Sequence, residues 1–303
     1  MIYWLHTFNP KIEGAGVFMH QLVQIAKEQG HEVELFYVGG NLKEYYQAYQ
    51  SIRKRLVKGD VLHAQYGSFC GFFTALLPGF KVLSLRGSDW YIAPEKKLRD
   101  KIHTRAAYLL TVLSLKRFDK ILVMSNHMKR QIEQRFSLNN IEVIPDGIDL
   151  EKFFPLAKSV AKKELNLPED NKDWILFSTF SKENRLKRPN LARAAVALLA
   201  EKHPNIELKI MNGIPHDKVN TFINCCDVIL LTSVHEGYPN IIKEGLACGV
   251  PFVGTDVSDL IEVSSDPTSG CYVTAATPEA LSEALLKVLK NKKEQKQDLR
   301  RFI

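Results

Sequence analysis

A chain of 303 residues, 45% hydrophobic and 25% charged, can bury the core of one large or two ordinary α/β domains and is not a disordered polypeptide. Its opening, Met1-Ile-Tyr-Trp-Leu-His6, lacks a basic n-region and meets Pro10 early, so no signal peptide is expected. No apolar run approaches the roughly 20 residues that span a bilayer. The net charge of +7 is uneven, because residues 1–150 hold 20 Lys+Arg against 14 Asp+Glu while residues 151–303 hold 21 against 20. A basic first half suits an anionic partner, and peripheral contact with an anionic membrane is one expectation. Much of the excess lies in Arg53-Lys-Arg55, Lys58, Lys96, Lys97, Arg99, Lys101 and Arg105. Nucleic acid is not expected as a partner, since neither aromatic–basic interleaving nor a recognition-helix motif is present. The five cysteines, Cys70, Cys225, Cys226, Cys248 and Cys271, show no metal-finger spacing and read as reduced, buried thiols of a cytoplasmic protein.

In chain order, the first half alternates strand and helix patterns. Strands are expected at Ile2–His6, Glu32–Val38, Val61–Ala64, Lys81–Leu85, Lys120–Met124 and Ile141–Ile144. Helices are expected at Val17–Gln29, Leu42–Val57, Glu95–Leu115 and Met128–Arg135, and Phe69–Leu77 reads as a core helix. Strands separated by helices predict a parallel sheet covered on both faces. Gly14-Ala15-Gly16 opens the first helix like a phosphate-facing turn.

Turn residues gather at Pro145-Asp-Gly-Ile-Asp149 and Phe153-Phe154-Pro155, so two domains are expected, residues 1–150 and 151–303. A second alternation follows, with strands at Trp174–Ser178, Ile206–Met211, Val228–Thr232, Pro251–Thr255 and Cys271–Thr274. Its helices fall at Pro189–Lys202, His216–Asn224, Asn240–Ala247 and Pro278–Leu289, and the basic tail from Lys287 to Arg301 is expected to be helical. Two doubly wound domains place ligands at the carboxyl ends of their strands.

The richest segment runs from Glu236 to Cys248. Glu236 and Glu244 are separated by seven intervening residues, across Gly237-Tyr-Pro-Asn240 and the start of an apolar helix. A strand feeding a tight loop and then a helix N-terminus makes an anion site from free N–H groups and the helix dipole. Two carboxylates add acceptors for hydroxyl groups. A ligand carrying both phosphates and hydroxyls, such as a nucleotide sugar, meets that demand.

Glu236-Gly-Tyr-Pro-Asn240 through Lys243-Glu-Gly-Leu-Ala-Cys-Gly-Val-Pro251 resembles the donor-site signature of glycosyltransferase family 4, the retaining nucleotide-sugar transferases of GT-B architecture. Gly14-Ala-Gly16, Gly30-His-Glu-Val33, Arg86-Gly-Ser-Asp89, Val143–Asp149 and Phe154-Pro155 add matches in the family's order, and Lys187-Arg-Pro189 sits where the family keeps a phosphate-binding lysine. The resemblance implies an α/β fold of two Rossmann-like doubly wound domains facing a cleft, with the C-terminal domain shortened. The first domain would be the acceptor side and the second the donor side.

By that resemblance Glu244 would accept hydrogen bonds from the ribose hydroxyls. Glu236 and the backbone of Gly237, Tyr238, Pro239 and Asn240 would meet the transferred sugar and the diphosphate. Lys187, with Lys182, Arg185 and Arg188, would neutralise the diphosphate, while Gly14 and Gly16 would let the first domain approach it. The expected activity is retaining transfer of a hexosyl group to a glycan or lipid-linked acceptor in surface polysaccharide or glycolipid assembly. No metal or other cofactor is expected, only the nucleotide sugar as co-substrate. Arg86 stands where many relatives carry a histidine, so proton handling or sugar orientation would pass to Asp89 or His63. Alternatives from the same fold are a degenerate, donor-binding transferase and another nucleotide-sugar enzyme, an epimerase or phosphorylase.

Overall fold

The computed structural model describes residues 1–8, 16–39, 42–92, 97–179, 185–291 and 299–303. Gly14 and Lys182 lie outside them. The chain divides into two compact units, Met1–Pro145 and Asp146–Ile303. The expected boundary after residue 150 shifts because the turn residues belong to the second unit. Lys243 Nζ donates to the Asp146 carbonyl at 2.6 Å, and Ile148 packs on the second core.

The first unit runs β1 (Ile2–His6), α1 (Val17–Glu28), β2 (Val33–Tyr37), α2 (Leu42–Arg55), β3 (Val61–Ala64), α3 (Ser68–Ala75), β4 (Phe80–Leu85), α4 (Leu98–Leu115), β5 (Lys120–Val123), α5 (Asn126–Arg135) and β6 (Ile141–Val143). The strands form one parallel sheet in the order β2-β1-β3-β4-β5-β6. Central strands of such a sheet are covered on both faces and so read as continuous apolar runs. Leu5, Leu62, Leu83, Leu85 and Ile121 are accordingly fully buried. Gly16 caps α1 at a left-handed φ of 72°, and a Cβ there would stand 3.0 Å from the Phe8 ring, so the position needs glycine on both counts. Ser125 caps α5 by accepting from Met128 N at 3.2 Å.

The second unit continues with α6 (Lys158–Glu164), β7 (Asp173–Ser178), α7 (Pro189–Lys202), β8 (Ile206–Met211), α8 (Val219–Asn224), β9 (Val228–Leu231), α9 (Asn240–Ala247), β10 (Phe252–Thr255), α10 (Leu260–Ser264), β11 (Tyr272–Thr274) and α11 (Pro278–Lys290). Its parallel sheet has the order β11-β10-β9-β7-β8. One face is covered by α7 and α11, whose Ala192, Ala195, Leu199, Leu281, Leu285 and Val288 pack on Ile175, Val228 and Val253. The other face is covered through Trp174, Ile223, Ile242, Leu246 and Phe252. The five cysteines are free and buried, and four of them, Cys225, Cys226, Cys248 and Cys271, lie in this second cluster. Short helices α6 and α10 had no distinct sequence signal, because seven and five residues are too few to show a period. Of the tail expected to be helical from Lys287 to Arg301, α11 takes in the part up to Lys290, residues 292–298 lie outside the described residues, and Leu299–Phe302 forms a 3-10 turn packed on α9.

Strand order reverses between β1 and β3 in the first unit and between β7 and β9 in the second. Such switch points open a crevice at the carboxyl ends of the strands, where doubly wound sheets hold their ligands. Of the candidate residues, Gly16, Lys187 and Glu236 fall on the loops at these points, His63 lies on β3, Glu244 on α9, and Arg86 and Asp89 follow β4.

Candidate active site

In the second unit the loops after β7 and β9 are sewn together. Val234 N donates to Leu186 O at 2.8 Å, and Thr232 Oγ1 donates to the carbonyls of Lys187 and Arg188 at 2.6 and 3.1 Å. Arg188 returns Nε to Thr232 O at 2.5 Å and Nη2 to Ser233 O at 2.9 Å. It caps α7 from a left-handed φ of 49°, a conformation that costs a non-glycine residue and persists because these bonds over-determine it. From the neighbouring strand Thr255 Oγ1 donates to Ser233 O at 2.6 Å, and Ser258 Oγ donates to Gly237 O at 2.8 Å. The loop is thereby clamped on both sides.

That clamp sets Lys187 Nζ 2.5 Å from Glu236 Oε1, which also accepts from Ser233 Oγ at 2.7 Å. Both side chains are largely shielded, 21% and 17% exposed. Arg185 lies half-buried on the same loop. Gly237, Tyr238 and Asn240 lead into the first turn of α9 with Pro239 as the capping residue. Pro239 has no N–H, so the expected row of donors from Gly237 to Asn240 comprises three groups rather than four. The Tyr238 ring packs on the core and lies 5.2 Å from Lys243 Nζ. Lys243 itself is buried and serves the Asp146 carbonyl.

Glu244 sits one turn further along α9. Burial pushes its carboxyl up to about 7, with the charges of Lys243 and Lys152 pulling it partly back. Gly245 lets α9 approach the sheet, since a Cβ there would collide with Cδ1 of Ile229 and stand 3.4 Å from Val250 O. The Glu-Gly dipeptide therefore joins a half-buried carboxylate to the glycine that allows its helix to sit so close.

In the first unit Asp89 is buried, and its carboxylate accepts from Gly67 N at 2.8 Å, Gly87 N at 2.9 Å and Arg86 N at 3.1 Å. Burial lifts its pKa, and those N–H groups offset part of the rise. Its oxygens thus fold the 86–89 turn and hold the start of α3. His63 donates or accepts at 2.8 Å with Ser84 Oγ, and its ring lies 4.8 Å from that of Trp4. Burial, then the charge of Arg86, pull His63 down to about 3, so it is neutral at physiological pH. Arg86 extends Nη2 to Gln65 Oε1 at 2.6 Å and Nε to Gln65 O at 3.4 Å.

Two residues near this point escaped the reading of the sequence as site residues. Gln65 is fully buried, yet its Nε2 has no partner among the described residues, and the same holds for Nδ1 of buried His6. They are neighbours at the carboxyl ends of β3 and β1, where Gln65 N donates to Leu5 O at 2.9 Å. The available signal was a polar residue directly ending each of two adjacent apolar strands.

The family model described as Glycosyltransferase Family 4 matches residues 12–152, and that described as Glycosyl transferases group 1 matches residues 182–291. Both units of the chain thus match glycosyltransferase models. The group 1 match holds Lys187, Glu236 and Glu244, and the Family 4 match holds His63, Arg86 and Asp89. An uncharacterized glycosyltransferase of Methanocaldococcus jannaschii is 25% identical over 77% of this chain and 66% of its own length. N-acetyl-alpha-D-glucosaminyl L-malate synthase of Bacillus anthracis is 20% identical over 94% of this chain and 87% of its own. Sucrose-phosphate synthase from Thermosynechococcus elongatus has the same fold, with a TM-score of 0.79 at 15% identity over 99% of this chain and 93% of that one. The chain therefore has the two-domain GT-B fold, each domain built on its own parallel sheet.

Proposed function

We propose that this glycosyltransferase moves a hexosyl group from a nucleotide sugar to a glycan or lipid-linked acceptor, with retention of anomeric configuration, in the assembly of a surface polysaccharide or glycolipid. The observation that carries the reading is the second unit's switch point, where Lys187 pairs with Glu236 and Arg188 ties the same loop, just before the helix that carries Glu244. A nucleotide sugar presents diphosphate, ribose hydroxyls and sugar hydroxyls together, and each has a complementary group there.

In this scheme Glu244 accepts from the ribose hydroxyls. Gly237 N, Tyr238 N and Asn240 N, with the dipole of α9, face the diphosphate. Lys187 and Arg185 supply positive charge, and Arg188, which spends two donors on carbonyls, chiefly positions the loop. As the bond from sugar to phosphate breaks, the sugar becomes oxocarbenium-like and negative charge grows on the diphosphate. Fixed cations and N–H dipoles stabilise that growing charge by several kcal/mol, on the order of 3 per well-placed donor. The acceptor attacks from the leaving-group face, and the departing phosphate takes its proton, so neither a protein nucleophile nor a metal is required.

On the acceptor side Arg86, held by Gln65, offers a cation to hydroxyls, while Asp89 and His63 hold the frame in which Arg86 sits. Thermal-shift screening against UDP-, GDP-, ADP- and dTDP-sugars tests the donor. Stabilisation by one base class is expected, following the free ligand concentration over Kd. Product analysis by NMR then tests retention, and transfer undiminished by a chelator tests the metal-free scheme. Turnover of the nucleotide sugar without an acceptor would favour an epimerase, and binding without turnover a degenerate transferase.

A further inference from the structure

Helix α4 presents its polarity the wrong way round for a helix facing water. Its inward side is partly polar: beside buried Leu115, buried Thr111 donates to Asp89 O at 2.7 Å and accepts from Ser68 N at 2.5 Å, and buried Ser114 donates to Thr111 O at 2.8 Å. Its outward side carries Leu98, Ile102, Leu109 and Leu113, which are 72%, 60%, 54% and 58% exposed. At 3.6 residues per turn these four positions fall within an arc of about 60°. A cavity of about 200 Å³ opens beside Leu113, and half-exposed Leu76 lines it, so the apolar surface continues onto α3.

The border of this stripe is basic. Lys97, Arg99, Lys101, Arg105, Lys116 and Arg117 are exposed along it, and Asp100 is the sole acid within α4. A contiguous exposed apolar face marks an interaction surface rather than a solvated one. The like charges along its rim oppose a second copy of the same face. Apolar side chains on one helical stripe, flanked by Lys and Arg, match the boundary between acyl chains and anionic headgroups.

We infer that α4 is a membrane-docking helix, which lays Leu98, Ile102, Leu109 and Leu113 into the acyl boundary of an anionic leaflet with its flanking cations at the headgroups. The inference builds on the lipid-linked acceptor of the proposed function and is independent of the donor site. It gives the first unit's excess of positive charge a location and a partner.

Co-sedimentation of the full chain with vesicles tests it, using phosphatidylcholine alone and phosphatidylcholine with one-third phosphatidylglycerol. The chain is expected to sediment with the anionic vesicles and to keep part of that binding at high salt, which screens charges but not apolar burial. Leu109→Ser/Leu113→Ser and, separately, Leu98→Ser/Ile102→Ser should each weaken binding by about tenfold, and Lys101→Gln/Arg105→Gln should remove its salt-sensitive part. Each variant should keep the thermal shift that a nucleoside diphosphate gives the wild type, which shows it folded. Serine variants that bind within about two-fold of wild type, or equal binding to neutral vesicles, would overturn the inference. So would a concentration-dependent dimer that the same substitutions dissolve. Vesicle binding with no nucleotide shift in the wild type would sink the donor reading alone.

Discussion

Lys187 Nζ lies 2.5 Å from Glu236 Oε1, so the cation suited to a diphosphate is held by the carboxylate suited to a sugar. A ligand phosphate must compete with that carboxylate for the ammonium. The two substitutions should therefore act with opposite signs on a bare nucleoside diphosphate. Lys187→Met should weaken its binding by about tenfold, near 1.4 kcal/mol. Glu236→Gln should leave its binding equal or tighter while sugar transfer falls. Titration calorimetry with the cognate nucleoside diphosphate measures both, and equal losses from both variants would refute the competition.

Glu244 predicts a pH dependence whose sign is fixed by its burial. The folded pKa, about 7, lies above the ordinary carboxyl value of 4.5, so the carboxyl binds its proton more tightly in the native state. Its contribution to stability is full below pH 4.5 and is lost as the pH rises through about 7. Glu244→Gln should thus match wild type near pH 5 and exceed it at pH 8, by up to about 3 kcal/mol. Thermal denaturation across that range checks the sign.

Binding should run the other way with pH. Ribose hydroxyls donate to the ionised carboxylate, so nucleotide affinity in the wild type should rise several-fold from pH 6 to pH 8. In Glu244→Gln that slope should vanish, with affinity lower by roughly 1–3 kcal/mol at pH 8 for the lost charged acceptor. A flat wild-type profile would remove Glu244 from the ribose.

Gly245→Ala places a methyl group against Cδ1 of Ile229, a side chain 1% exposed in the sheet. Over-packing of this kind costs about 1–3 kcal/mol and should move α9 away from β9. Ile229→Val removes the colliding atom and should restore part of the loss in the double variant. Urea denaturation of the two single variants and the double one measures the coupling.

Asp89→Asn exchanges one of two acceptor oxygens for a donor that faces backbone N–H groups. A loss of about 1–3 kcal/mol in stability is expected. Nucleotide affinity, which the proposed function assigns to the second unit, should not change. A variant as stable as wild type but deficient in transfer would instead give Asp89 a chemical role.

Much of the fold was legible because parallel strands announce themselves locally. Ile2–His6, Val61–Ala64, Val228–Leu231 and their helices appear as apolar runs and helical periods at the expected positions. The segment from Glu236 to Pro251 was legible for the same reason, since loop, helix and glycine are contiguous. The roles of Asp89, His63 and Arg188 were less so. A carboxylate bound by backbone N–H groups and a carboxylate free to meet substrate look alike in sequence. His6 and Gln65 were missed because their distinction is an unused polar atom in a buried place, which only packing reveals.

By itself the sequence determined two parallel α/β units, their strands and helices, and the loop-and-helix segment that carries Glu236 and Glu244. Those features depend on neighbours along the chain. The tertiary structure decided which distant groups meet. Lys187 finds Glu236, 49 residues later, because β7 lies beside β9 rather than β10. It also decided that α4 turns Thr111 and Ser114 inward and Leu109 and Leu113 outward, a choice that helical period leaves open because a period fixes which residues share a face but not what that face meets.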